Sequence, residues 1–167
     1  VRLIEMRPDV QTPVHHTGDL AELVCSNSLK SMREDSAPGM LKSELAQLGS
    51  AVLEAAERTR VPAGGAFAVD RRQFSSVVTA AVEGDPRIEL VRAEATDIAS
   101  VAAGAAAVVL ATGPLTSASL ASDIARITGS DALAFYDAAA PIVMADSIDR
   151  EKVFSQSRYE DAGAPGD

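Results

Sequence analysis

The stretch Ala107-Val108-Val109-Leu110-Ala111-Thr112-Gly113, "AVVLATG", is apolar for five residues and then ends on a small polar residue and a glycine. A run with no polar alternation predicts a strand buried on both faces, as strands are in a parallel sheet covered by helices. Upstream of it, Ile88 to Ala95 reads as a strand after the turn "GDPR" (84–87). At the start of the chain, "VRLIEM" (1–6) reads as another, closed by Arg7-Pro8-Asp9, since proline has no N–H to give to a ladder. Between these lie residues 9–38, polar and without sustained periodicity, which predict a long loop of the kind that often carries function.

Helical spacing fills the gaps. Over Met40 to Arg60 the residues Leu41, Leu45, Leu48, Val52 and Ala56 recur at three and four positions and predict one helix with an inward stripe, ended by Val61-Pro62. "AGGAFAVDR" (63–71) reads as a glycine turn and a short strand. Asp70 is the expected N-cap of a helix from Arg71 to Glu83, with Phe74, Val77, Val78, Ala81 and Val82 inward. Ser117 to Thr128 predicts a helix with Leu120, Ile124 and Ile127 inward, and "ALAFYD" (132–137) a further strand. Strands alternating with helices imply an α/β fold with a mainly parallel sheet. Ligands in such sheets sit at the carboxyl ends of strands, which singles out Glu5, Thr112 and Gly113.

Composition narrows the function classes. The 167 residues carry a net charge of -9, so a basic surface for nucleic acid is not expected on this stretch itself. One cysteine, Cys25, excludes an internal disulfide and predicts a reducing, cytoplasmic setting. No apolar run reaches the roughly 18 residues of a membrane span. One Cys and two His, His15 and His16, do not make a spaced zinc set, so no metal is expected. The chain opens on Val1, directly in a strand, which predicts that it starts inside a longer protein.

Three features could carry chemistry. Glu5, at the end of a strand, has the acceptor-only carboxylate that suits two donating ribose hydroxyls, though an exposed strand-end acid reads the same way. Thr112-Gly113 lets a backbone approach a ligand closely, or is a plain strand-to-helix turn. Cys25 is either a small buried hydrophobe or a thiol presented for chemistry, and its polar followers Ser26, Asn27 and Ser28 leave the two open.

Taken in order, "LIEMRP", "TPVHHT", "AELVCSNSLKS", "LKSELAQLGS", "RVPAGGAFAVDR", "VLATGPLTS", "FYDAAAPIV" and "SIDREKVFSQSRY" closely resemble the folate- and flavin-dependent tRNA (uracil-5-)-methyltransferase family, TrmFO. The likeness runs from Arg2 to about Tyr159. The related GidA flavoproteins, which modify wobble uridines, share the general fold without this string of blocks. The resemblance implies FAD as cofactor, methylenetetrahydrofolate as carbon donor, NADH or NADPH as reductant, and tRNA as the substrate that receives a methyl group on C5 of the T-loop uridine. It implies that Glu5 meets the FAD ribose, that Arg7 lies near the adenosine half, and that Thr112 and Gly113 face the flavin side. Ser26, Asn27 and Ser28 are implied in shaping the flavin pocket. Cys25 matches an active-site cysteine, which tips it from filler to chemistry; it attacks C6 of the uracil or moves the C5 proton.

The expected architecture is thus a partial Rossmann-like FAD-binding domain over residues 1–130, lacking its first strand and glycine-rich turn. Residues 131–167 are expected to begin an inserted segment and linker. Without the phosphate turn this stretch alone is expected to be inactive. The competing expectations are a non-catalytic truncated α/β module and a GidA-like modifier.

Overall fold

A computed structural model of the chain describes residues 1–130 and 144–153. In chain order the elements are β1 (Arg2–Glu5), β2 (Ser28–Ser31), α1 (Ala37–Gln47), α2 (Ala51–Arg58), β3 (Arg60–Val61), β4 (Ala66–Val69), α3 (Arg71–Glu83), β5 (Glu89–Arg92), α4 (Ile98–Ala102) and α5 (Ala118–Thr128). They fall into two compact units: residues 1–19 with the described part of 82–139, and residues 20–81 with the described part of 140–167. The fold is mixed α/β, with a parallel pair of strands and helices.

In the first unit β1 and β5 pair in parallel, with Glu5 opposite Arg92 at their shared carboxyl end. Both strands start close to where the sequence pattern predicts, but β5 ends at Arg92, short of the expected Ala95. The Asp85–Arg87 ion pair pins the turn before β5, and Arg87 holds the Asp85 carboxyl down at about 2. α5 begins as expected, with the Ser117 hydroxyl accepting from Leu120 N–H. Leu120 is buried, but Ile127 is exposed, so the inward stripe is shorter than predicted.

The "AVVLATG" expectation fails. Residues 107–112 form no strand, and Val109 is 85% exposed. Apolar composition favours burial, but a strand exists only through ladder hydrogen bonds to a neighbour. Among the described residues β1 and β5 pair only with each other, and nothing pairs with 107–112. The expected strand at 132–137 lies outside the described residues.

The second unit is an antiparallel sheet of order β2-β4-β3, so parallel pairing is not the majority among the described strands. The four-residue connection from β3 to β4 permits only an antiparallel return. β4 is buried throughout. Its Phe67 and Val69 pack with Ala55 and Ala56 of α2 and Phe74 of α3 to make the core. Asp70 caps α3 as expected, accepting from Gln73 N–H at 2.9 Å.

The single helix expected over 40–60 is two helices. Gly49, at φ +72°, takes the left-handed conformation that ends α1. Ser50 then restarts the helix, its hydroxyl accepting from Leu53 N–H. The predicted stripe is overturned with it: Leu41, Leu45, Leu48 and Val52 are exposed, and only Ala56 is in the core. Gly39 explains the rotation. A Cβ there would stand 1.8 Å from the Arg33 carbonyl oxygen, so only glycine lets α1 lie against that backbone. The helix docks through Gly39 and Lys42, which turns the leucines outward. Ser50→Ala removes the cap of α2 and is expected to lower stability by about 1 kcal/mol. Urea unfolding of the two proteins side by side measures it.

Candidate functional site

β1 delivers Glu5 to the carboxyl end of the parallel pair, and Arg7 doubles back to meet it. Arg7 Nε donates to Glu5 Oε1 at 3.0 Å and Nη2 to Oε2 at 3.2 Å, while Arg7 N–H also donates to Oε1 at 3.0 Å. The Arg7 side chain is only 5% exposed and that of Glu5 22%. A paired guanidinium can be buried this deeply because the fork matches the carboxylate. Burial pushes the Glu5 carboxyl up, but hydrogen bonds from the Arg7 side chain and N–H, with the charges of Arg7 and Arg92, outweigh it and hold it below 4.5. The carboxylate is therefore ionised at neutral pH, with its accessible part facing solvent. The stability it contributes is fully present above its ordinary value of 4.5 and is lost as pH falls through its lowered folded value. Glu5→Gln is expected to flatten the acid limb of a stability-against-pH curve below that ordinary value, which denaturant titrations over a pH series would reveal.

Arg92, at the end of β5, was not singled out by sequence. Its Nη1 donates to the carbonyl of Arg7 at 3.0 Å and to that of Gly18 at 2.7 Å. Its position as the strand-end partner of Glu5 is the signal that could have found it. Thr112 and Gly113 are both exposed, at the entry to a 3-10 turn, Gly113–Leu115. The Thr112 and Thr116 hydroxyls share a 2.5 Å hydrogen bond, and Thr116 also donates to the Gly113 carbonyl at 2.9 Å.

Cys25 belongs to the second unit, in the loop entering β2, and is exposed. The loop is fixed by its neighbours. Asn27 Nδ2 donates to the Val69 carbonyl at 3.1 Å, and the Asn27 carbonyl accepts from Val69 N–H at 3.0 Å. The Ser26 hydroxyl accepts from Ser28 N–H, and the Ser28 hydroxyl from Lys30 N–H. Arg71 Nη2 reaches the Cys25 carbonyl at 3.4 Å. The thiol is thus presented to solvent on a braced backbone, as its polar followers allow.

Lys42, which is not among the residues of the predicted inward stripe, is buried. Its Nζ donates to the carbonyls of Ser31 and Pro38, both at 3.0 Å, tying the end of β2 to α1. Burial, helped by the nearby charge of Lys30, lowers its pKa from the ordinary lysine value. A cavity of about 500 Å³ opens beside it, lined by Met32, Glu34, Ser43, Leu53 and Glu57 among others. Among the described residues no helix is long and apolar enough to cross a membrane.

A parallel pair with an ionised, arginine-gripped carboxylate at its carboxyl end, joined to helices, defines an α/β protein of the kind that presents ligands at strand ends. The chain belongs to the glucose inhibited division protein A family, whose model matches residues 1–166. Its curated relatives include three proteins named methylenetetrahydrofolate--tRNA-(uracil-5-)-methyltransferase TrmFO. That of Geobacter sulfurreducens is 55% identical over 159 residues, covering 95% of this chain and 36% of the relative. That of Koribacter versatilis is 53% identical over 160 residues, with 96% and 35% covered. That of Bacillus subtilis is 50% identical over 160 residues, with 96% and 36% covered. The chain spans about a third of the length of these relatives.

Proposed function

We propose that this chain belongs to a methylenetetrahydrofolate- and FAD-dependent tRNA methyltransferase that makes 5-methyluridine in the T-loop. The observation that carries it is identity of 50–55% across nearly the whole chain to relatives whose name states the folate, the tRNA and the uracil C5. The activity is that of the longer protein, in the cytoplasm where tRNA is modified, with NADH or NADPH as reductant.

The residues at the end of β1 fit a dinucleotide. Glu5 is ionised, partly accessible and acceptor-only, which is what two donating ribose hydroxyls require. Arg7 holds the carboxylate in place and keeps its charge. Thr112 and Gly113 lie exposed, where they can meet the flavin half. In this reading the first strand of the domain and its glycine-rich phosphate turn are supplied outside these 167 residues, since the stretch holds no G-x-G-x-x-G, and residues 131–167 begin an inserted segment. Bound FAD supplies the reducing equivalents that turn a one-carbon unit at the methylene level into a methyl group.

Cys25 does the chemistry this chain contributes to the uracil. As a thiolate its Sγ adds to C6, the C5–C6 π electrons move to C5, and C5 becomes the nucleophile; the sulfur leaves once the C5 proton is removed. Alternatively Cys25 takes that C5 proton itself while another thiol adds to C6. Ser26, Asn27 and Ser28 brace the backbone that presents it, and in this reading they help shape the flavin pocket.

Deleting the gene and analysing bulk tRNA nucleosides by mass spectrometry tests the reading. T-loop 5-methyluridine is expected to vanish. Its persistence alongside loss of a wobble-uridine modification would favour the GidA-like chemistry instead.

A further inference from the structure

We infer that Arg92 is a positioning residue for the ribose end of the dinucleotide site, acting as a clasp on the loop that carries Arg7. The inference rests on the reading of Glu5 as the ribose acceptor.

Residues 7–18 leave the end of β1 and come back on themselves. Val10 N–H donates to the Met6 carbonyl at 2.9 Å at one end of the loop. Thr12 and His15 share a 2.6 Å hydrogen bond within it. At the neck Gly18 meets the Pro8 ring, where a Cβ would stand 3.2 Å from Pro8 Cβ. One guanidinium nitrogen, Arg92 Nη1, spans this neck, donating to the carbonyl just before Pro8 and to the carbonyl of Gly18. The other terminal nitrogen lies 3.6 Å from Glu83, which orients the fork.

The clasp bears on Glu5 through the backbone. Arg7 contributes both its side chain and its N–H to the carboxylate. The Arg7 carbonyl, N–H and side chain all meet at one Cα, so holding the carbonyl restrains the residue that carries both donors. Arg92 stands opposite Glu5 in the ladder, so strand pairing sets the distance over which the clasp works. A lysine is a poorer clasp there, because a single ammonium lacks the planar fork that serves carbonyl and carboxylate acceptors together. Two carbonyls held by one cation in the neck leave the loop nowhere to drift, and Glu5 keeps one orientation toward the ribose.

The test is a double-mutant cycle in the full-length gene product, stripped of flavin, with FAD affinity read by fluorescence titration. Arg92→Gln and Glu5→Gln are each expected to weaken FAD binding about tenfold, and the double variant by about the same factor, because both act through one carboxylate. Apo-protein melting should fall much less in Arg92→Gln than in a core variant. Losses that multiply to about a hundredfold would make Arg92 an independent structural contact and overturn the inference. If Glu5→Gln weakens binding and Arg92→Gln does not, the clasp falls and the ribose reading stands. If Glu5→Gln has no effect, both fall. Should Arg92→Gln fail to fold, Arg92→Lys keeps the charge, and an affinity between wild type and Glu5→Gln is expected; wild-type affinity would overturn the proposal.

Discussion

Cys25→Ala in the full-length gene product is expected to lower 5-methyluridine formation by about 10²–10⁴-fold while leaving FAD content unchanged. The geometry makes the two effects separable. The thiol is exposed, and among the described residues the hydrogen bonds that hold its loop are made by Asn27, Ser26, Ser28 and the Cys25 carbonyl. Removing Sγ therefore leaves the scaffold in place, so a loss of activity would report on the thiol itself. Single-turnover assays on unmodified tRNA, with flavin measured by absorbance, would separate these effects. Activity within tenfold of wild type would remove Cys25 from the reaction.

The second large effect is on stability. Phe67 is fully buried in β4, packed among Val69, Phe74, Ala55 and Ala56, with the Arg60 guanidinium 5.2 Å over its ring. Phe67→Ala removes one of the two core phenylalanine rings and the cation–π partner together, and is expected to cost about 3–5 kcal/mol. Phe67→Leu, which keeps most of the volume, should cost clearly less. The damage reaches the candidate site, since the Val69 backbone on the same strand holds Asn27 and through it the Cys25 loop. Denaturant unfolding of both variants, with thiol-labelling rates at Cys25, would show the core loss and its spread.

The locally encoded features were legible. β1 announces itself by a short apolar run closed by proline, β5 by the turn before it, α3 by the cap at Asp70 and α5 by its helical spacing. The polar residues after Cys25 left a buried and a presented thiol both open, and the structure shows it exposed. What the sequence concealed depends on partners. "AVVLATG" has strand composition, but no ladder claims it among the described residues. The leucines of α1 have helical spacing, but Gly39 and Gly49 decide which way the helix docks and where it stops, and their effect lies in backbone approach, not in hydropathy. β2 escaped notice because four residues, "SLKS", carry no period long enough to read. Arg92 and Lys42 carried no signal in the sequence pattern, because what holds them is a set of backbone carbonyls that only the fold brings to them.

The most direct measurement follows one carbon. The purified full-length gene product would be incubated with unmodified tRNA, NADH or NADPH, and methylenetetrahydrofolate labelled in its methylene carbon, and nuclease fragments of the tRNA would be sequenced by mass spectrometry. The account predicts the label in the C5 methyl of the T-loop uridine, dependent on Cys25 and on bound FAD. Label confined to a wobble uridine, or no label in tRNA with flavin bound and the protein folded, would contradict it.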